Sequence, residues 1–98
     1  MHNHTHYLIR QTMSSYTTKG KKSAYKKKQM TRLVSILEKI MSKEGDPRLE
    51  AIRKRQIIRY WKSIEDESSK TRREKYSILC KFFNLYNPKI TVPEPREH

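Results

Sequence analysis

The sequence predicts an all-α fold, and three observations carry that expectation. Only two glycines and four prolines occur in 98 residues, too few turn formers for a chain of short strands. Apolar residues recur at steps of three and four in separate segments, and no segment sustains the alternation of a half-buried strand. Apolar and charged residues each make up 34% of the chain, so one small, economical core is what the length can bury.

Residues 1–6 are polar and read as a flexible N-terminus. His2, His4 and His6 alternate there, but no carboxylate or cysteine stands beside them to complete a metal site. A helical domain over residues 7–87 follows. Tyr7, Leu8, Ile9, Met13 and Tyr16 predict a short first helix over about residues 5–15. Ser14, Ser15, Thr17, Thr18 and Gly20 then read as a turn.

The second helix, over residues 21–43, has the clearest periodicity. Met30, Leu33, Val34, Leu37, Ile40 and Met41 share one face, with Gly45 placed as a C-terminal cap. Its start lies in a basic run: residues 19–32 hold seven Lys or Arg and no acid. Cations there oppose the helix dipole, an arrangement that a bound phosphate would relieve.

Asp46-Pro47 suits a helix start, yet Leu49 and Ile52 do not share a face with Ile57, Tyr60, Trp61 and Ile64. The pattern therefore predicts a short turn over 47–52 and a third helix over about 53–66. Its buried face is 57/60/61/64, with Ile58, Arg53, Lys54, Arg55 and Arg59 largely outside it. Trp61 is assigned to the core on this spacing, not to base stacking.

After the polar connector at 66–69, the last helix begins between Ser68 and Thr71 and runs to about Tyr86. Ser68 and Ser69 are suitable caps, and Thr71-Arg72-Arg73-Glu74 fits a capping box. Tyr76, Leu79, Cys80, Phe83 and Tyr86 form one apolar side; Ile78, Phe82 and Leu85 form a second. Either this helix is central in its bundle, or Ile78, Phe82 and Leu85 meet another domain or chain. Asn87-Pro88 ends it, and residues 88–98 read as an extended tail or linker.

Chemistry narrows the function classes. A net charge of +13 points to a polyanionic partner, nucleic acid before anionic membrane. No apolar run reaches membrane-span length and no signal-peptide core is present, so a cytoplasmic location without membrane is expected. A single cysteine, Cys80, excludes a disulfide framework and reads as a core filler. Glycine-rich phosphate loops and nucleophile–base sets are missing, so neither a cofactor nor catalysis by this chain alone is expected. Tyr16 and Tyr25 lie among lysines, where they could touch sugar or bases or pack at the bundle edge.

The order of parts resembles a known module. Ser68-Ser69-Lys70-Thr71, Tyr76 and Leu79…Phe82-Phe83 look like the last helix of the N-terminal core-binding domain of tyrosine recombinases, the phage-type integrases. Leu49-x-x-Ile52 followed by Gln56-Ile57-Ile58-x-Tyr60-Trp61 is similar to that family's third-helix segment. Ser15-Tyr16-Thr17-Thr18 before the long basic helix is similar to the start of its second helix, and residues 88–95 to its interdomain linker. The resemblance implies a four-helix, SAM-like bundle that holds duplex DNA without itself carrying the catalytic domain. It also implies a bacterial or phage-like, nucleoid-associated setting, with a recombinase catalytic domain or another protein as a further partner.

The expected DNA-binding residues are Lys21, Lys22, Lys26, Lys27 and Arg32 on the second helix and Lys70, Thr71, Arg72, Arg73 and Lys75 on the last. If both helices pack through their apolar stripes, these basic starts form one phosphate-binding surface. Arg72 and Arg73 would then read guanine. Two other classes remain open: a free-standing regulatory or protein-interaction factor, and a small RNA-binding protein.

Overall fold

The computed structural model describes residues 3–18, 24–44 and 49–95. Five α-helices lie in these residues: α1 (Asn3–Thr12), α2 (Ser14–Thr18), α3 (Ala24–Glu44), α4 (Lys54–Ser63) and α5 (Ser69–Tyr86). A 3-10 turn at Leu49–Ala51 stands between α3 and α4, and no strand occurs among the described residues. The fold is a small all-α bundle. Lys21, Lys22, His2, Gly20, Gly45, Asp46 and Pro47 lie outside the described residues.

The N-terminal expectation needs correction. Helix α1 begins at Asn3, so residues 3–6 are helical instead of a mobile lead, and Thr5 is buried. The cause is a stripe at helical spacing, Thr5, Ile9, Met13 and Tyr16, of which Ile9 and Met13 are fully buried. Helix α2 occupies the span expected as a turn. Met13 N–H donates to the Ile9 carbonyl at 3.0 Å, and Thr17 N–H to that of Met13 at 3.0 Å. Those bonds carry the helical path from α1 into α2 across Met13.

Helix α3 buries Leu33, Ile36, Leu37, Ile40 and Met41 against α5 and α4. Ile36 is one residue more than the expected face, and it falls three after Leu33 and four before Ile40. Helix α4 buries Ile57, Tyr60 and Trp61, with Ile64 just after its end, and leaves Ile58 40% exposed. This is the expected face on a shorter helix. Leu49 and Ile52, around the 3-10 turn, are buried as well.

Helix α5 decides the two readings of its second side. Ile78 and Phe82 are fully buried alongside Leu79 and Phe83, whereas Leu85 is 48% exposed. Ile78 and Phe82 are thus core residues and not a partner surface, in one cluster with the buried stripes of α1, α3 and α4. Phe82 stacks on Tyr86 with centroids 5.2 Å apart and meets Phe83 edge-on at 5.1 Å. Ser68 caps the helix: its Oγ accepts the Thr71 N–H at 3.2 Å. Glu74, expected to close a capping box, turns instead to α3.

The tail, described as far as residue 95, opens with a turn in which Ile90 N–H donates to the Asn87 carbonyl at 3.0 Å, and then docks on the bundle. Val92 is buried, Ile90 packs on the core, and Trp61 Nε1 donates to the Pro93 carbonyl at 2.8 Å. Trp61 is therefore in the core with its one donor satisfied, and Cys80 packs against the same cluster.

This packing separates Phe82 from Leu85 in a measurable way. Phe82→Ala should cost about 3–5 kcal/mol in urea unfolding, the range for emptying a buried aromatic site. Leu85→Ala should stay within about 1 kcal/mol, because half of the side chain is already in water.

Candidate nucleic-acid interface

The basic residues divide by what the fold does with them. Arg32, on α3, forms an ion pair with Glu74 on α5. The same guanidinium donates to Gln29 Oε1 at 3.0 Å, and Gln29 Nε2 donates to the Glu74 backbone carbonyl at 3.2 Å. Gln29 is fully buried, so its amide is matched inside the α3–α5 contact. Arg32 is a cross-helix tie more than a phosphate contact.

Lys75 is engaged in a similar way. Its ammonium donates to Glu67 at 2.8 Å and to the Tyr60 hydroxyl at 3.2 Å, and lies 5.8 Å from the Tyr60 ring centre. Burial works against the charged lysine, but the bonds to Glu67 and Tyr60 outweigh it and hold its pKa above the ordinary value. Burial in turn raises the Tyr60 phenol, with Lys75 opposing. Lys75 links α5, α4 and the connector between them.

Arg72 is buried, with a relative exposure of 6%. Reading guanine calls for an exposed guanidinium, whereas the fold buries this side chain. Thr71 is occupied at the helix cap: its N–H goes to Ser68 Oγ, which donates to Thr71 Oγ1 at 3.0 Å.

What remains on the surface is a narrower set. Lys27 and Lys28 of α3 and Lys70 and Arg73 of α5 are exposed. Lys28 and Lys70 both act on the Glu74 carboxyl, which the bond from Arg32 holds below the usual carboxylate range, aided by the charges of Arg32, Lys28 and Lys70 and opposed by burial. Lys28 stands one turn before Arg32 on α3 and Lys70 one turn before Glu74 on α5, so the ion pair ties the two basic helix starts to each other.

A second contact gathers cations around Tyr16. The half-buried ring has Lys26 Nζ at 5.6 Å and Lys81 Nζ at 5.1 Å from its centre. Tyr16 is an edge residue that spaces two lysines, while Tyr25 is 50% exposed beside them. Lys28 and Lys81 were not singled out from the sequence. Lys28 sits within the basic run, but Lys81 lies among apolar residues of α5, and only the fold brings it to Tyr16.

No protein-family model, curated protein or solved structure matches the chain. Among the described residues, no group of three His, Cys, Asp or Glu is placed to hold a metal ion. No described helix is long and apolar enough to cross a membrane.

The Arg32–Glu74 tie has a pH signature. Because the folded-state carboxyl is depressed, its contribution is present above the ordinary carboxylate pKa and lost as pH falls through the lower folded value. Wild-type stability should therefore decline from neutral pH into the acid range. Glu74→Gln should start lower at pH 7 and decline less, as read from urea melts at several pH values.

Proposed function

We propose that this chain is a duplex-DNA-binding module whose phosphate contacts come from the surface where α3 and α5 meet. The carrying observation is that the Arg32–Glu74 ion pair joins α3 to α5 one turn after exposed Lys28 and one turn after exposed Lys70, with Lys27 and Arg73 also exposed at those helix starts. Glu74 supplies one negative charge against Arg32, Lys28 and Lys70, so that cluster keeps a net positive charge that an external anion would lower. Neither α3 nor α5 has an acid in its first turn to compensate the helix dipole. A phosphate backbone supplies that charge at repeated intervals.

The finer reading is a core-binding domain of the tyrosine-recombinase type, acting on DNA in a bacterial or phage-like nucleoid. It is supported by the order of Leu49-x-x-Ile52, Gln56 to Trp61 and the Ser68-to-Phe83 helix, each on the kind of element the resemblance implies. A recombinase's own nucleophile and base would belong to a separate domain, so the proposed role is binding without strand cleavage.

Fluorescence anisotropy on a mixed-sequence duplex tests the reading. Affinity should fall with salt at a log–log slope of about −4 or steeper, from four or more neutralised phosphates. Lys28→Ala combined with Lys70→Ala should flatten that slope by about 2 and weaken all duplexes alike. Arg73→Ala should reduce discrimination between sites, while Arg72→Ala should act first on stability. Absence of duplex binding at low salt, or binding indifferent to the double change, would reduce these cations to solvated surface.

A further inference from the structure

Helix α4 carries a basic face that the α3–α5 surface does not include. Lys54, Arg55, Arg59 and Lys62 are all exposed, and the helix contains no acidic residue. Ile58 lies within this basic arc and is 40% exposed. Lys54 and Arg55 stand one turn before it, Lys62 one turn after, and Arg59 adjoins it. The opposite side of the helix, Ile57, Tyr60 and Trp61, is held in the core.

We propose that α4 enters the major groove of the bound duplex, with Ile58 against thymine methyl groups and the surrounding cations on the flanking phosphates. The inference rests on the duplex-binding reading and adds the element that reads base identity. Charge complementarity restricts the occupant to a polyanion, and the single apolar side chain narrows it further. An interfacial membrane helix needs a broad apolar face toward the lipid, whereas the apolar face here is turned inward. A-form RNA hides its bases in a deep, narrow major groove that side chains cannot read. B-form DNA opens a major groove about 12 Å wide, matched to a helix about 10–12 Å across. That groove displays the thymine methyl between two phosphate walls. Lys54 and Lys62 are separated by about 12 Å along the helix, which lets the two engage different phosphates.

The test uses the full chain and four probes: a short mixed-sequence DNA duplex, the same duplex with uracil in place of thymine, its double-stranded RNA counterpart, and vesicles of mixed phosphatidylserine and phosphatidylcholine as the anionic competitor. Wild type should bind the thymine duplex about fourfold tighter than the uracil duplex, the worth of burying one methyl group. Ile58→Ala should abolish that preference. Lys54→Gln with Lys62→Gln should flatten the salt slope by about 2. Circular dichroism melts would establish that each variant is folded. The proposal is overturned if the double variant binds DNA as wild type does, or if wild type ignores the methyl group. It is equally overturned by RNA binding as tight as DNA binding, or by anionic vesicles displacing the duplex. Lys28 and Lys70 separate the two levels: weakening by their removal alone leaves the phosphate surface standing without α4, and loss of all duplex binding removes both.

Discussion

The packing of α5 against α3 is the contact from which the charge arrangement of this molecule follows. Helix α5 buries Ile78, Leu79, Phe82 and Phe83 on two sides, so its middle offers little room for charge and its cations gather toward the first turns. Helix α3 buries Leu33, Ile36, Leu37 and Ile40, and Lys26, Lys27 and Lys28 lie together at its start. Bringing those helices together brings like charges together. Glu74, matched by Arg32 and Gln29 across the contact, offsets part of that repulsion at the point where it is greatest.

Magnitudes show why such an arrangement folds. Cations near a helix N-terminus each oppose the dipole by about 0.3–1 kcal/mol at most, and salt screens that cost. Fully burying a Leu, Ile or Phe side chain contributes about 1.5–3 kcal/mol. Four such residues on α5 alone exceed the opposing electrostatics, so packing wins. The basic face can therefore exist before any anion arrives. On the proposed function, a phosphate would meet a surface already held in place, and less of its binding energy would go into ordering the protein.

The core was legible because burial follows period. The stripes of α3 and α4, and the two-sided character of α5, can be read from steps of three and four. Charged side chains were less legible. Arg32, Arg72 and Lys75 look like surface cations in a basic run, yet one crosses to Glu74, one is buried, and one reaches Tyr60 and Glu67. Periodicity gives the face a residue occupies but not which acid the neighbouring helix sets opposite it. The face of α4 was missed for a different reason. Its cations were the remainder left after the apolar stripe was assigned, although the helix has no acid and Ile58 falls among them. The first helix was legible from Tyr7 to Tyr16, but its start at Asn3 was not, because its buried stripe begins with Thr5, a polar residue.

The same stripe that buries α4 also restrains its outer face, as the proposed groove reading requires. A helix of ten residues is too short to persist on isolated propensity. Here Ile57, Tyr60 and Trp61 anchor one side, the Tyr60 hydroxyl accepts from Lys75 of α5, and the Trp61 indole holds the tail through Pro93. Gln56 Oε1 accepts the Arg53 N–H at 2.9 Å, which fixes the entry of the chain into the helix. Three separate parts of the fold thus constrain a helix whose exposed arc is nearly all cation. Methyl recognition depends on such restraint, since a contact worth about one methyl group would be lost if the helix could shift by a side-chain width. Phosphate contacts tolerate more movement, because long lysine stems adjust to the backbone. On the proposed reading, the restrained face of α4 therefore suits base readout, while the lysines where α3 and α5 meet suit hold on the backbone, with Arg73 as the one base contact proposed there.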